Sequence, residues 1–398
     1  MKKNLFVGFI AMTALTVTSC TNDEVVEAIP QKQAIEFGTY LGRDAQARGV
    51  VTGGENDFTQ FGVFAFYTNG TSWASAKSTA TPNFMYNQAV NWNSNLETPA
   101  WEYTPKKYWP TTYDDKITFF AYAPMASTSN GIVISDNETD GTPTVTYTID
   151  PKNLEKMADF VADALIDQTR QSSEETLDNA NEDVTFVLNH ELTRVNIQAQ
   201  LSTNEFGDAV ANETKVNITN IEFVGAGFAQ TGTYTFADEK NVLGTWDYEG
   251  VGEDAFSIFD EDDALFVVKG TDTDLSTAGY TTVGVAVPAT TVVDLFEDDQ
   301  YLFLIPANGT DGITSAKNVS MYVSYDIVTA DANLTGGYSK TSAVKEIVLP
   351  DGLLRQGTAY NILLTFGMNE IKLSASVDGW GDVDESGDAN VDYPKTDK

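Results

Sequence analysis

The chain has one cysteine, Cys20, and one histidine, His190, in 398 residues. A lone cysteine closes no intrachain disulfide, and a lone histidine cannot share a metal with a second one. If Cys20 is taken by lipid, the rest of the chain has no thiol, which excludes cysteine nucleophiles and cysteine-built zinc sites. Positive charge is also scarce. Twenty-three Lys and Arg stand against 58 Asp and Glu, a formal charge of −35, so nucleic acid and anionic lipid are poor partners. Residues 1–48 carry five basic and five acidic side chains, so their removal leaves that charge unchanged. No long amphipathic helix period is present. The one long apolar run, Leu5–Val17, is short for a final membrane anchor.

That run has the form of an export signal, with Lys2 and Lys3 before it. Val17-Thr18-Ser19-Cys20 follows, small residues ahead of the sole cysteine. This is a bacterial lipobox pattern, with Val where Leu is commoner; cleavage between Ser19 and Cys20 would free Cys20 for a diacylglycerol. An ordinary signal peptide with an incidental cysteine is the alternative. Thr21-Asn22-Asp23-Glu24 then reads as an acidic sorting tract.

Residues 34–51, AIEFGTYLGRDAQARGVV, organise the expectation for the rest. Ala34–Gly38 alternates as a short strand with Ile35 and Phe37 on one side, and Tyr40 as a further candidate there. Gly42–Arg48 is polar and small, the composition of an exposed, cleavable loop. Two of the five arginines, Arg43 and Arg48, lie in it. On the residues alone, Arg48 reads as a plain loop residue, with cleavage as the alternative.

From Phe58 onward, β-rich segments alternate with turns. The clearest are Phe61–Tyr67, Ile117–Pro124, Val145–Ile149, Thr193–Leu201, Val319–Ile327 and Tyr360–Phe366. Asn153–Asp167 is open between a short helix and a strand at Phe160–Leu165. Many short strands with glycine and acidic turns predict an all-β chain built of sandwiches. Ile371–Val377 alternates strictly and reads equally as a last internal strand or as a segment lent to another chain. The tail Gly381–Lys398 is acidic and open, with Val383, Ala389, Val391 and Tyr393 as its scattered apolar points.

Several stretches together resemble the fimbrillin family, the lipoprotein-derived pilins of type V pili. They are the Cys20 lipobox with TNDE, KYWP at 107–110, ITFFAYAP at 117–124, NHELTRVNI at 189–197, and GTAYNILLTF with IKLSASVDGW across 357–380. The resemblance implies two transthyretin-like β-sandwich domains in tandem. The expected division is a signal peptide over 1–19, a tether and propeptide strand over 20–48, sandwiches over 49–185 and 186–380, and an acidic tail over 381–398. It implies export to the outer membrane on a lipid anchor and cutting by an arginine-specific protease. Arg48-Gly49 fits that cut best and Arg43 second. It also implies assembly into a surface fimbria by donor-strand exchange, with copies of itself or related subunits as partners, and a contribution to adhesion on a host or bacterial surface ligand. Ile35 and Phe37 would fill the groove first. Ile371, Leu373 and Val377, or Val383, Val391 and Tyr393, are the donor candidates.

The remaining signals are weaker. Asp382–Asn390 spaces oxygen ligands like the start of a calcium loop, but Tyr393 stands where a bidentate Glu belongs. An acidic solvated tail is the reading, and no metal, cofactor or catalysis is expected. His190, between Leu188 and Leu192, reads as structural. Trp92, Trp101, Tyr108 and Trp109 read as core, with a sugar-stacking surface as the alternative. A monomeric surface lipoprotein that binds glycan or a host protein is the competing function.

Overall fold

The computed structural model describes residues 33–41, 59–127, 130–149, 158–170, 184–202, 214–225, 227–239, 242–248, 252–260, 285–287, 291–296, 301–306, 319–349, 353–367 and 370–378. The strands, in chain order, begin with β1 (Phe37–Leu41), β2 (Gln60–Tyr67), β3 (Met85–Asn93), β4 (Ala100–Glu102), β5 (Lys116–Ala123), β6 (Ile132–Ile134) and β7 (Thr144–Thr148). There follow β8 (Val161–Thr169), β9 (Val184–His190), β10 (Thr193–Leu201), β11 (Thr214–Gly225), β12 (Thr231–Thr235), β13 (Thr245–Asp247) and β14 (Gly252–Asp260). The last are β15 (Val285–Val287), β16 (Val293–Asp294), β17 (Leu302–Leu304), β18 (Ser320–Ala330), β19 (Tyr338–Val348), β20 (Ala359–Phe366) and β21 (Ile371–Asp378). One helical turn, α1 (Trp73–Ala76), is the helix among the described residues. The protein is all-β, and of the stretch left open between helix and strand, the described part from residue 158 onward carries the strand, β8 (residues 153–157 lie outside the described residues).

Four sheets carry these strands. The first runs β1-β9-β8-β5-β2-β3-β4. The second is β13-β12-β7-β6. The third is β16-β10-β20-β21 with β17 also on β10, and the fourth is β14-β11-β18-β19 with β15 also on β11. The second sheet joins residues from either side of position 185, because β7 and β12 pair antiparallel from Thr144↔Thr235 to Thr148↔Thr231.

Strand β5 shows why the first sheet reads as an unbroken apolar run. Ile117, Phe119, Ala121 and Ala123 pack into one cluster. Phe120 and Tyr122 pack into the other. A strand buried on both faces has no reason to alternate apolar with polar residues. β2 does the same, with Phe61, Val63 and Ala65 against Phe64 and Phe66. The second sheet covers the Phe64 face: Phe236 lies 5.4 Å from Phe120, and Tyr234 5.1 Å from Phe160. On the opposite face, Ile35 and Phe37 join the cluster of Phe61, Val63, Ile117 and Phe119.

The link from β9 to β10 is fastened by a buried acid. Glu191 is 1% exposed. Its Oε2 accepts a hydrogen bond from Gln356 Nε2 at 2.5 Å, and its backbone carbonyl accepts one from Trp246 Nε1 at 2.8 Å. Gln356 also donates to the Gly244 carbonyl at 3.0 Å, so this one knot ties three separate stretches of chain. Beside it, His190 Nδ1 lies 2.7 Å from Asp159 Oδ2, a structural pairing. Burial disfavours the Glu191 carboxylate, and the Tyr234, Gln356 and Gly244 bonds offset this in part, leaving its pKa at about 8 against the usual 4.5.

Between those two values the folded protein holds a proton that the unfolded chain has released. Stability from this group is therefore complete below pH 4.5 and is lost as pH rises toward 8, at up to about 1.4 kcal/mol per pH unit. Denaturation midpoints of the protein and of Glu191→Gln across pH 4–9 test this. The variant is expected to lose less stability over the window, and the difference between the two curves isolates the carboxyl.

Candidate assembly site

The site starts from one missing edge. In a sheet, a strand at the rim leaves a row of N–H and C=O groups without partners unless something covers it. β9 stands at that rim, and residues 33–41 cover it. β1 runs parallel to β9 from Phe37↔Val184 to Leu41↔Leu188. Val184 N donates to the Glu36 carbonyl at 2.8 Å. The same segment reaches the other rim of the sheet, beyond β4. Ala34 bridges Tyr108 antiparallel, Ile35 N donates to the Lys107 carbonyl at 3.0 Å, and Trp109 N donates to the Gln33 carbonyl at 2.9 Å. One short segment thus spans from the far side of the curled sheet to its open edge.

Its side chains alternate as an extended strand requires. Ile35 is 0% exposed and Phe37 4%. Thr39 is the third inward position, also buried. Phe37 sits in an aromatic box, with ring centroids at 5.1 Å to Tyr103, 6.0 Å to Phe119, 6.0 Å to Phe186 and 6.3 Å to Phe61. Trp101 closes the box from behind Phe61 at 4.9 Å. Burial of this kind stabilises by about 1.5–3 kcal/mol per large apolar side chain.

Polar groups fix the register. Tyr103 donates its hydroxyl to the Ile35 carbonyl at 2.8 Å, and burial pushes that phenol up to about 12. Between the two apolar plugs, Glu36 points outward and meets Lys106 Nζ at 2.7 Å. Lys106 also lies over the Tyr103 ring, 4.9 Å from its centroid. Gly38 passes close to Thr185: a Cβ there would lie 3.0 Å from the threonine Oγ1. The Thr39 hydroxyl has no hydrogen-bond partner among the described residues.

The sequence-based strand limits shift here. The strand is Phe37–Leu41 rather than Ala34–Gly38, because residues 33–35 bond to the 107–109 stretch as a bridge instead of to β9. The lining residues Tyr103 and Lys106 were not legible beforehand. They lie in an irregular stretch after β4, and only the folded sheet brings them beside residue 36. Of the aromatics, Trp101 and Tyr103 are buried at 5%, whereas Tyr108 is 45% exposed.

Ile371, Leu373 and Val377 lie in β21, which pairs antiparallel with β20 over eight residues, Phe366↔Ile371 to Ala359↔Asp378. Ile371 and Leu373 are partly buried against the core, and Val377 is exposed. Ser19, Cys20, Arg43, Arg48, Gly49, Val383, Val391 and Tyr393 lie outside the described residues. No cluster of His, Cys, Asp and Glu suited to a metal occurs among the described residues, and no helix among them is long and apolar enough to cross a membrane. What this arrangement can do is hold an extended segment with alternating apolar side chains.

Comparison with known proteins gives this geometry a context. A model of the fimbrillin-like family matches residues 48–380. The chain is similar to the fimbrium subunit Fim1C of Phocaeicola vulgatus, at 32% identity over 398 residues, covering 96% of this chain and 98% of that one. A solved structure of a fimbrial protein from Bacteroides vulgatus superposes with a TM-score of 0.66 at 27% identity, over 88% of this chain and 100% of the other.

If the aromatic box depends on its plug, Phe37→Ala destabilises the uncut chain by about 3–5 kcal/mol and Ile35→Ala by about 2–5 kcal/mol. Glu36→Ala, which loses only a half-exposed ion pair, costs about 1 kcal/mol or less. Chemical denaturation of the three variants beside the parent chain measures all three.

Proposed function

We propose, on the premise that this chain belongs to the fimbrillin-like family, that it is a structural subunit of a cell-surface fimbria whose N-terminal strand holds the place of a neighbour's strand. The observation that supports this most is the segment over 33–41. It completes an open sheet edge with Ile35 and Phe37 buried, and it lies immediately ahead of the arginine-bearing loop.

In this reading the precursor is exported as a lipoprotein through Cys20 and stays on the outer membrane with its groove occupied. An arginine-specific protease then cuts after Arg48, with Arg43 the second choice. Loss of residues ahead of Gly49 removes the strand and leaves β9 and the aromatic box exposed. A strand from another copy, or from a related subunit, restores the hydrogen-bond ladder and the burial together. The parts assigned to the two expected sandwiches, 49–185 and 186–380, travel as one subunit, since β7 and β12 hydrogen-bond across that boundary. Adhesion is a property of the assembled fimbria, and no catalytic step is involved.

The energetics support blocking before exchange. Ordering an incoming strand costs about 1–2 kcal/mol per residue, so the plugs and ladder must together exceed it. A strand already tethered in the same chain wins that competition until its tether is cut.

Low-dose digestion of the purified precursor with an arginine-specific protease should remove residues 1–48 and yield ladders that survive SDS without heating. Arg48→Ala should slow trimming, and Arg43→Ala with Arg48→Ala should abolish both trimming and ladders. A trimmed protein that stays monomeric when concentrated would favour the monomeric surface lipoprotein instead.

A further inference from the structure

β9 is anchored unevenly. Its last residues are tied firmly. Val161↔His190 and Ala162↔Asn189 ladder them to β8, Glu191 N donates to the Phe160 carbonyl at 2.9 Å, and the Glu191 knot follows. Among the described residues those two pairs are the whole of the β8–β9 ladder. Toward the front of β9, a side chain of β8 does what its backbone does not. Val187 N donates to Asp163 Oδ2 at 2.8 Å, and the Val187 carbonyl accepts from Asn189 Nδ2 at 3.1 Å. Asp163 itself is buried, 4% exposed. On its other side the same front half is laddered without a gap: all five pairs to β1 fall on residues 184–188. Phe186 also has the Phe37 ring stacked on it, with centroids 6.0 Å apart.

We infer that residues 184–188 are a strand only while residues 33–41 lie beside them: once that segment leaves, the front half of β9 comes away from the sheet and pivots at residues 189–191. This rests on the strand-exchange reading for the removal of residues 33–41, and adds what becomes of the strand left behind. A stretch with no backbone ladder on either side has little to hold it extended, and ordering it again costs backbone entropy at every residue. Burial does not prevent the release. Phe186 loses the ring stacked on it, and with it part of the packing that holds this half.

The result is an edge that hides itself. A cut subunit does not present a finished strand to any passing chain, which is the hazard of an open edge. The acceptor forms only when an incoming strand supplies both the ladder and the aromatic plug. Each encounter must offset the entropy of ordering residues 184–188, and a strand that fills no pocket does not.

Hydrogen exchange read by mass spectrometry tests this on the full chain, and on the chain cut by an arginine-specific protease and freed of its 1–48 fragment. Amides of 184–188 are expected to exchange roughly a hundredfold faster after the cut, as when several ladder bonds are lost together, while those of 193–201 in β10 keep their rates. A peptide of residues 33–41 added to the cut chain is expected to restore the slow exchange. A second protein needs no cut. Gly38→Pro with Tyr40→Pro takes two N–H groups out of β1 and is expected to give the same local increase in the uncut chain. Rates at 184–188 that stay within about threefold of the parent in either protein overturn the inference, and so does an equal rise at 193–201, which would mean general unfolding. Fast exchange at 184–188 in a cut chain that never forms ladders leaves the inference standing and removes strand exchange instead.

Discussion

A β-sheet with an unsatisfied edge and an aromatic cavity beside it is the constraint on which this molecule turns. Neither fault is tolerable alone. Without residues 33–41, the edge of β9 would expose backbone groups that invite any passing strand, and the space between Phe61, Tyr103, Phe119 and Phe186 would expose apolar surface to water. Residues 33–41 answer both at once, because an extended segment presents its backbone sideways and its alternate side chains downward. Any replacement must do the same two things in the same register. That is why the requirement is for a strand and not for a globular face.

The rest of the fold serves to keep that requirement rigid. β5 and β2 are buried on both faces, so the floor of the slot cannot shift without disturbing the cluster that packs on the second sheet. The Glu191 knot fixes the turn directly after β9, and with it the strand whose edge is at stake. A buried, largely protonated acid is an unusual choice for such a fastening. The neutral acid holds the junction at mildly acidic pH; as the carboxyl ionises, the cost of burying its charge exceeds what the hydrogen bonds return, and the fold loses stability.

How much of this could be read from the residues follows from where each signal originates. ITFFAYAP announces a doubly buried strand because its apolar residues are contiguous. The alternation of Thr193–Leu201 announces its strand as plainly, and both are found. Ile35 and Phe37 were legible as the inward pair from period-two spacing, although the ladder to β9 begins only at Phe37. Tyr103 and Lys106 were not legible. Their role comes from the sheet curling until the stretch after β4 meets residues 33–37, which no local pattern encodes. Glu191 was passed over for the same reason: between His190 and Leu192 nothing marks it as buried until Gln356 and Trp246 arrive from distant positions. Charge, by contrast, said nothing about the fold, as expected of a property that governs solubility and encounter.

The central claim is that the segment over 33–41 occupies a place that another strand must later take. The backbone supplies a direct way to hold it there. A Cβ at Gly38 would lie 3.7 Å from the Cβ of Thr185, within the range of a disulfide. In a chain carrying Gly38→Cys and Thr185→Cys, with Cys20→Ser to leave a single pair, oxidation ties the segment to β9 after the arginine loop is cut. The rate of SDS-resistant ladder formation, with and without reductant, is the measurement. The account predicts no ladders until the disulfide is reduced and rapid assembly afterwards; ladders forming equally fast with the disulfide intact would contradict it.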